Sequence, residues 1–447
     1  MRRKIIKKLK EWKKDSLGRT AALIIGMRRV GKSYAVEEFA KTNYKSYILI
    51  DFSKVGKAVR DLFDDPLQDI DSFFVMLQGY FDVELHPKES VIIFDEVQSF
   101  PRARELVKHF VADGRYDYIE TGSLMSIKEN TKDIVIPSEE HEISMTPLDF
   151  EEFLWAINEE KSYEAIKYAY EHKKPLGQAM HRKMMTLFRQ YIIVGGMPQA
   201  VVEYAETRNL KKVDSIKRDI LKLYRDDIYK HGGKNALRIE QIYNEIPAQL
   251  SNANKRFMFS ALSSTARFRD FEEALLWLSE AKIVNLCFNT TEPTAGLSAR
   301  KDIAAFKCYQ ADTGLLISQT FDERALSRDE IYKKLLFNKL EFNNGMIMEN
   351  VVAQMLASAG HKLFYYAETE DRMEIDFLTV KSQITSRHNI LPIEVKSGKK
   401  YLANSLNKFT SKFSQQVGMA YILHDGDLEV DSDAKITYLP VYMAELL

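Results

Sequence analysis

The chain is poor in cysteine: its 447 residues include 2, Cys287 and Cys308. That is too few for a disulfide framework, and the pair lacks the spacing of a zinc site, so the expectation is a protein of the reducing cytoplasm. No apolar stretch approaches the length of a membrane span, and the first residues do not have the pattern of a signal peptide. Charge of one sign is not in excess either: Lys+Arg and Asp+Glu both number 64, for a formal net charge of +0. No global field therefore selects a nucleic acid or a membrane as partner, although local fields still can. What the chain does have is length enough for about three domains, each with its own core.

The stretch GMRRVGKS, residues 26–33, follows the apolar run AALII and precedes YAVEEFAK, whose apolar spacing is helical. It fits G-x-x-x-x-G-K-[ST] in the strand, loop, helix context that this pattern needs. Glycines let the backbone wrap closely, so that successive N–H groups and the helix N-terminus point at phosphate oxygens. Lys32 is expected to bridge the β- and γ-phosphates of ATP, and the Ser33 hydroxyl to coordinate Mg²⁺. The expected cofactor-binding residues are Gly26, Met27, Arg28, Arg29, Val30, Gly31, Lys32, Ser33 and Tyr34. No individual contact is assigned to the two arginines, since surface loops often carry arginine without a ligand.

A phosphate cradle calls for carboxylates at the end of a neighbouring buried strand. SVIIFDEVQ, residues 90–98, has four consecutive apolar residues and then Asp95 and Glu96. The run reads as a strand of a parallel sheet covered on both faces. Asp95 is expected to hold Mg²⁺ through water, and Glu96 to orient and polarise the attacking water. Taken alone, the pair reads equally as a strand ending in solvated acids. YKSYILIDFS (44–53) and YDYIETGS (116–123) fit the same sheet. The second ends in Thr121, Gly122 and Ser123, where a hydroxyl could reach the γ-phosphate, although such a turn is also common without any ligand.

The start of the chain, MRRKIIKKLKEWKK, is its most basic segment, with Ile5, Ile6, Leu9 and Trp12 at helical spacing. It reads either as a docking helix with a solvated lysine face or as a contact to nucleic acid or another anionic surface. TPLDFEEFLWAINEE (146–160) predicts one helix. In YIIVGGMPQAVVEYAE (191–206) a Gly-Gly-x-Pro corner separates two apolar helical segments, and it reads as a helix–helix turn or as a surface pressed against adenine.

The ordered set GMRRVGKS, VIIFDEVQ, YIETGS, MTPLDFEEFLWA, YIIVGGMPQAVVEY and PIEVKSGK resembles a widespread bacterial and archaeal family of AAA-type ATP-binding proteins, across nearly the whole chain. Members have a C-terminal region of unknown function that looks nuclease-like. The resemblance implies an ATPase core, a winged helix, and nucleotide contact by the Gly-x-Pro turn, here through Pro198. One departure is that many relatives carry a Gly-Arg pair before the PLDFEEF segment, where this chain reads IPSEEHEISMTPLDF.

Helical ALRIEQIYNEIPAQL and FEEALLWLSEAKIV are followed by VNLCFN and AAFKCYQAD, which read as a strand pair and fit a winged helix. Such a module grips DNA or serves as a rigid relay, and the balanced charge of FRDFEEALLWLSE argues against strong groove binding. Farther on, Glu349 lies in a helix-like run, Asp376 in RMEIDFLTV, and Glu394 and Lys396 in ILPIEVKSGKK. A carboxylate on one strand and acid-x-lysine on the next is the PD-(D/E)XK nuclease pattern. Asp376 and Glu394, completed by Glu349, are then expected to hold Mg²⁺ or Mn²⁺, with Lys396 acting on the attacking water. The alternatives are edge strands with solvated acids and lysines, or a nuclease fold that binds without cutting.

The expected fold is thus multidomain α/β: a P-loop AAA-type ATPase over residues 1–145, a helical lid over 146–234, a winged helix over 235–330 and a restriction-endonuclease-like domain over 340–447. The expected function is a Mg-ATP-dependent switch coupled to a nuclease-like, DNA-directed end. The competing class is a signalling ATPase whose C-terminal fold docks a partner. ATP, ADP, DNA, RNA, another copy of the chain and a protein partner all remain open as ligands.

Overall fold

The apolar run AALII becomes strand β1 (Ala21–Ile25), every residue of it buried. The computed structural model describes residues 1–64, 69–122, 139–252, 254–321, 344–368, 373–381, 384–385, 387–397, 403–433 and 435–447. They form two compact units, Met1–Thr146 and Pro147–Leu447.

In the first unit, β1 joins β2 (Ser46–Asp51), β3 (Ser90–Asp95), β4 (Asp117–Gly122) and β5 (Glu140–Ser144) in the order β2-β3-β4-β1-β5. Every pairing is parallel. Strands β1 and β3 are buried along their whole length, as a sheet covered by helices on both faces requires. The helices are α1 (Ile5–Ser16), α2 (Lys32–Asn43), α3 (Lys57–Asp61), α4 (Ile70–Phe81) and α5 (Pro101–Asp113). Phe73 and Phe74 of α4 and Phe110 of α5 pack with Phe94 and Tyr118 of the sheet into an aromatic core. Helix α1 buries Ile5, Leu9 and Trp12, and Lys13 reaches Asn43 O at 2.6 Å. Its remaining lysines face solvent, as a docking helix would have them.

The second unit holds the helices α6 (Phe150–Ala156), α7 (Glu160–His172), α8 (Gln178–Val194), α9 (Pro198–Thr207), α10 (Leu210–His231), α11 (Ala236–Ser251), α12 (Phe268–Glu280), α13 (Thr313–Thr320), α14 (Asn344–Ser358) and α15 (Asn404–Lys412). The helix expected within 146–160 is α6, shorter than that span, and α7 follows from Glu160. Asp149 and Glu152 form a capping box that starts α6, and Asn158, at φ 63, interrupts the path before α7. Strands β6 (Val284–Thr290), β7 (Lys301–Gln310), β8 (Phe364–Glu368), β9 (Met373–Val380), β10 (Ile390–Lys396), β11 (Ala420–His424), β12 (Glu429–Asp431) and β13 (Ile436–Pro440) make one sheet in the order β12-β13-β11-β10-β9-β8-β6-β7. The expected boundaries at 234/235 and near 330–340 therefore fall inside one unit. The β6–β7 hairpin expected in a winged helix continues into this sheet, where β6 pairs in parallel with β8, Phe288 opposite Phe364. An edge strand with unpaired N–H and C=O groups is completed by a neighbour, and here the neighbour is the C-terminal sheet.

The Gly-Gly-x-Pro corner is packed tightly within this unit. A Cβ on Gly196 would stand 2.2 Å from Leu148 O, and one on Gly195, at φ +80, 2.3 Å from an Asp312 carboxylate oxygen. Asp312 accepts from Gly196 N at 2.5 Å and caps α13 by accepting from Leu315 N at 2.9 Å. Pro198 takes the first turn of α9, where its missing N–H costs nothing. Among the described residues no helix is long and apolar enough to cross a membrane.

Candidate active site

Strand β1 delivers the chain into the loop, and Gly31 at φ 93 turns it into α2. Arg29 also takes positive φ, at 68. Gly26 is pinched: a Cβ there would lie 2.3 Å from Met145 O, so only glycine lets the loop leave the sheet at this point. Met27 and Val30 point inward and are buried, whereas Arg28, Arg29 and Tyr34 are exposed. Lys32 is buried, and its Nζ donates to Gly26 O at 3.0 Å and Met27 O at 3.3 Å. Burial pulls its pKa below the ordinary lysine value, against the pull of Glu96 and Asp95.

The carboxylate end is built by strand order. The expected neighbour of β1 is β3, but β4 lies between them, so Thr121 stands between the loop strand and Asp95. Asp95 Oδ1 accepts from Ser33 Oγ at 2.8 Å and also from Thr121 Oγ1. Thr121 Oγ1 accepts in turn from Glu96 N at 3.3 Å. Burial raises the Asp95 pKa, while the two hydroxyls hold it down. Glu96 takes φ 53 as β3 ends, and its carboxylate accepts from Gln98 Nε2. Lys32, Ser33, Asp95, Glu96 and Thr121 thus converge in the first unit. Ser123 lies outside the described residues, and Pro198 belongs to the second unit.

A second cluster lies in the second unit. Asp376 Oδ2 on β9 accepts from Val395 N of β10 at 2.9 Å, so the two strands bring Asp376 beside Glu394 and Lys396. Lys396 Nζ stands 2.8 Å from Glu394 Oε2. Burial raises the Glu394 pKa; Lys396, although burial opposes its charge, is lifted by Glu394, Asp376 and Glu349. Glu349 of α14 is also buried, which raises its pKa, and it accepts from Tyr309 Oη at 3.1 Å and pairs with Lys255. Lys307 of β7, with 1% of its side chain exposed, puts Nζ 2.8 Å from Glu374 Oε1 and 3.7 Å from both Glu349 Oε2 and Asp376 Oδ1. Lys307 thus stands beside two of the three carboxylates expected to hold a metal, Glu349 and Asp376. Among the described residues no group of three or more His, Cys, Asp and Glu is arranged to hold a metal ion.

Against known protein families, residues 18–154 match the model of an AAA domain. They carry the loop, the β3 acids and Thr121. This part of the chain is a P-loop AAA ATPase domain. Residues 185–324 match one domain of unknown function (DUF8612), and residues 344–443 match another (DUF4143). No curated protein sequence matches the chain. Among solved structures, the chain is similar to the Walker-type ATPase PABY2304 of Pyrococcus abyssi, with 14% identity over 71% of this chain and 95% of that one at a TM-score of 0.42. It is also similar to the Thermotoga maritima RuvB Holliday junction branch migration motor, with 12% identity over 64% and 89% at a TM-score of 0.28. Cdc6p from Pyrobaculum aerophilum overlaps with 11% identity over 75% and 94% at a TM-score of 0.24. These overlaps are too shallow to transfer anything those proteins do.

Some residues of the first unit escape sequence reasoning. Arg3 donates to Val30 O at 3.0 Å and to Thr146 O at 2.7 Å, bracing the loop from the start of the chain. Nothing distinguishes it in sequence from the other basic residues around it. Arg104 of α5 donates to both oxygens of Glu140, at 2.8 and 2.6 Å, and so fixes β5 beside β1. In the second unit the visible signal for Lys307 is a lysine within the apolar strand pattern AAFKCYQ.

Proposed function

We propose that the protein is a Mg-ATP-dependent switch in which the AAA domain hydrolyses ATP and the second unit presents a nuclease-like fold to nucleic acid. The observation that carries the hydrolytic part is the double hydrogen bond onto Asp95, from Ser33 next to the loop lysine and from Thr121 on the intervening strand. One carboxylate thereby senses both the loop and the sheet. The donor set suits the cofactor: a hydroxyl and a carboxylate for Mg²⁺, and a buried ammonium for the terminal phosphates. Ser33 and Asp95 would hold the ion, and bound Mg²⁺ supplies charge neutralisation on the phosphates. Lys32 exchanges its loop carbonyls for phosphate oxygens, and Glu96 orients the attacking water while Gln98 keeps its carboxylate in place.

For the second unit, cleavage by Asp376, Glu394 and Lys396 with Glu349 is supported by the cleft those residues share. The reading of a module that binds without cutting is favoured by Lys307 among the same carboxylates. ATP turnover measured alone and with single-stranded or double-stranded DNA tests the proposal. Hydrolysis stimulated by DNA is expected. No hydrolysis under any condition defeats the ATPase reading, and hydrolysis indifferent to DNA and RNA points to a protein partner.

A further inference from the structure

The four carboxylates of the second unit, Glu349, Glu374, Asp376 and Glu394, face three lysines of the same chain, Lys255, Lys307 and Lys396. Two of the lysines are peripheral. Lys396 has 31% of its side chain exposed and Lys255 has 14%. Lys307 is enclosed at 1%, with its ammonium 5.0 Å from the centre of the Tyr365 ring. From that position it reaches three carboxylates on two elements, Glu349 on α14 and Glu374 and Asp376 on β9.

On Glu349 and Asp376 the oxygens that a divalent ion would need are already engaged, whereas Glu394 faces Lys396 through Oε2 and keeps Oε1 buried without a hydrogen-bond partner. Glu349 Oε1 is paired with Lys255, and Glu349 Oε2 accepts from Tyr309 Oη at 3.1 Å with Lys307 beyond it. Asp376 Oδ2 accepts from the backbone N–H of Val395, and Asp376 Oδ1 faces Lys307. A divalent cation taking several of these oxygens at coordination distance, about 2.0–2.6 Å, would be pressed against the buried Lys307 ammonium. The register of the hairpin places Lys307 opposite Cys287, inside the sheet, so the charge belongs to the fold and not to a mobile surface arm.

We propose that Lys307 is the resident cation of this cleft: it holds Glu349, Glu374 and Asp376 together in the place where a nuclease of this pattern would carry a divalent metal, so the cleft works without metal and does not cut. This is independent of ATP hydrolysis by the AAA domain.

The test is Mn²⁺ binding by calorimetry and by thermal melting, on the full chain without nucleotide, so that the phosphate loop contributes no phosphate-dependent ion site. Wild type and Asp376→Asn should give the same isotherm and no Mn²⁺-dependent rise in melting temperature. Lys307→Met should gain one equivalent of Mn²⁺ and a melting temperature that rises with Mn²⁺, and both should vanish in Lys307→Met/Asp376→Asn. Mn²⁺ binding by wild type that Asp376→Asn removes overturns the proposal. A folded Lys307→Met variant with no added site overturns it as well. If Lys307→Met does not fold, the comparison of wild type with Asp376→Asn decides alone. A failure of ATP hydrolysis would leave all of these readings unchanged, so the two proposals fall separately.

Discussion

Ser33 donates its hydroxyl to Asp95 Oδ1 over 2.8 Å, across 62 positions of sequence. The first turn of α2 is thereby tied to the end of β3, and the loop lysine one residue earlier is set beside the only acids that close β3. A disturbance at either end of this bond reaches the other, which separates the expected effects of three substitutions.

Lys32→Ala removes the buried ammonium that the loop carbonyls now hold. A charge-assisted hydrogen bond to phosphate contributes about 1.5–3 kcal/mol, so ATP affinity should fall roughly 10–100-fold. The check is titration with a fluorescent ATP analogue on a variant whose circular dichroism matches wild type; unchanged affinity refutes the role.

Glu96→Gln should keep ATP bound and slow turnover by about 100-fold or more, the usual contribution of a general base. Asp95→Asn should instead raise the Mg²⁺ concentration needed for half-maximal turnover. Burial raises the Asp95 pKa in the metal-free protein, whereas bound Mg²⁺ favours the ionised form, so the acid limb of the activity should move to lower pH as Mg²⁺ is raised. Single-turnover rates against Mg²⁺ and pH distinguish the two variants.

Gly196→Ala places a Cβ 2.2 Å from Leu148 O, where backbone must give way. The expected cost is about 1–3 kcal/mol, comparable with overpacking in a core. Gly79→Ala meets nothing within 4 Å on helix α4, and there alanine should stabilise by about 0.5–1 kcal/mol through helix propensity. Urea melts of both variants read the two signs directly.

Lys217 is fully enclosed, donating to Ile193 O at 2.7 Å and Gly314 O at 3.1 Å, and burial pulls its pKa down to about 8. An unfolded chain keeps that lysine protonated up to about 10.4, so above the folded value the unfolded state binds more protons and stability rises with pH. From about pH 7.5 to about pH 9.5 the gain should be roughly 2 kcal/mol in wild type, and Lys217→Met should lack it. Equal pH slopes for the two proteins in denaturant unfolding would exclude this contribution.

Much of the AAA domain is legible because its signals are short. The strand AALII, the turn at Gly31, Lys32, Ser33 and the helical apolar spacing after them are contiguous, so each constrains the next through a few backbone dihedrals. The VIIFDE run is equally plain, since a strand covered on both faces must be continuously apolar before its polar end. The middle of the chain was less legible. A hairpin preceded by helices fits a winged helix, but whether its outer strand finds a partner depends on β8, some 75 positions after β6.

What the sequence by itself determined is therefore local: the phosphate loop, the acids at the end of β3, the cap at Asp149, and the Gly-Gly-x-Pro corner with a helix on either side. These are set by dihedral preferences and hydrogen bonds among residues a few positions apart. Only the tertiary structure decided that β4 separates β1 from β3, so that Thr121 joins Ser33 on Asp95. It alone decided that the hairpin joins the C-terminal sheet and carries Lys307 in among Glu349, Glu374 and Asp376. The reason is register: which side chains share one face of a sheet follows from how distant strands pair, and a shift of one residue sends a charge to the opposite face.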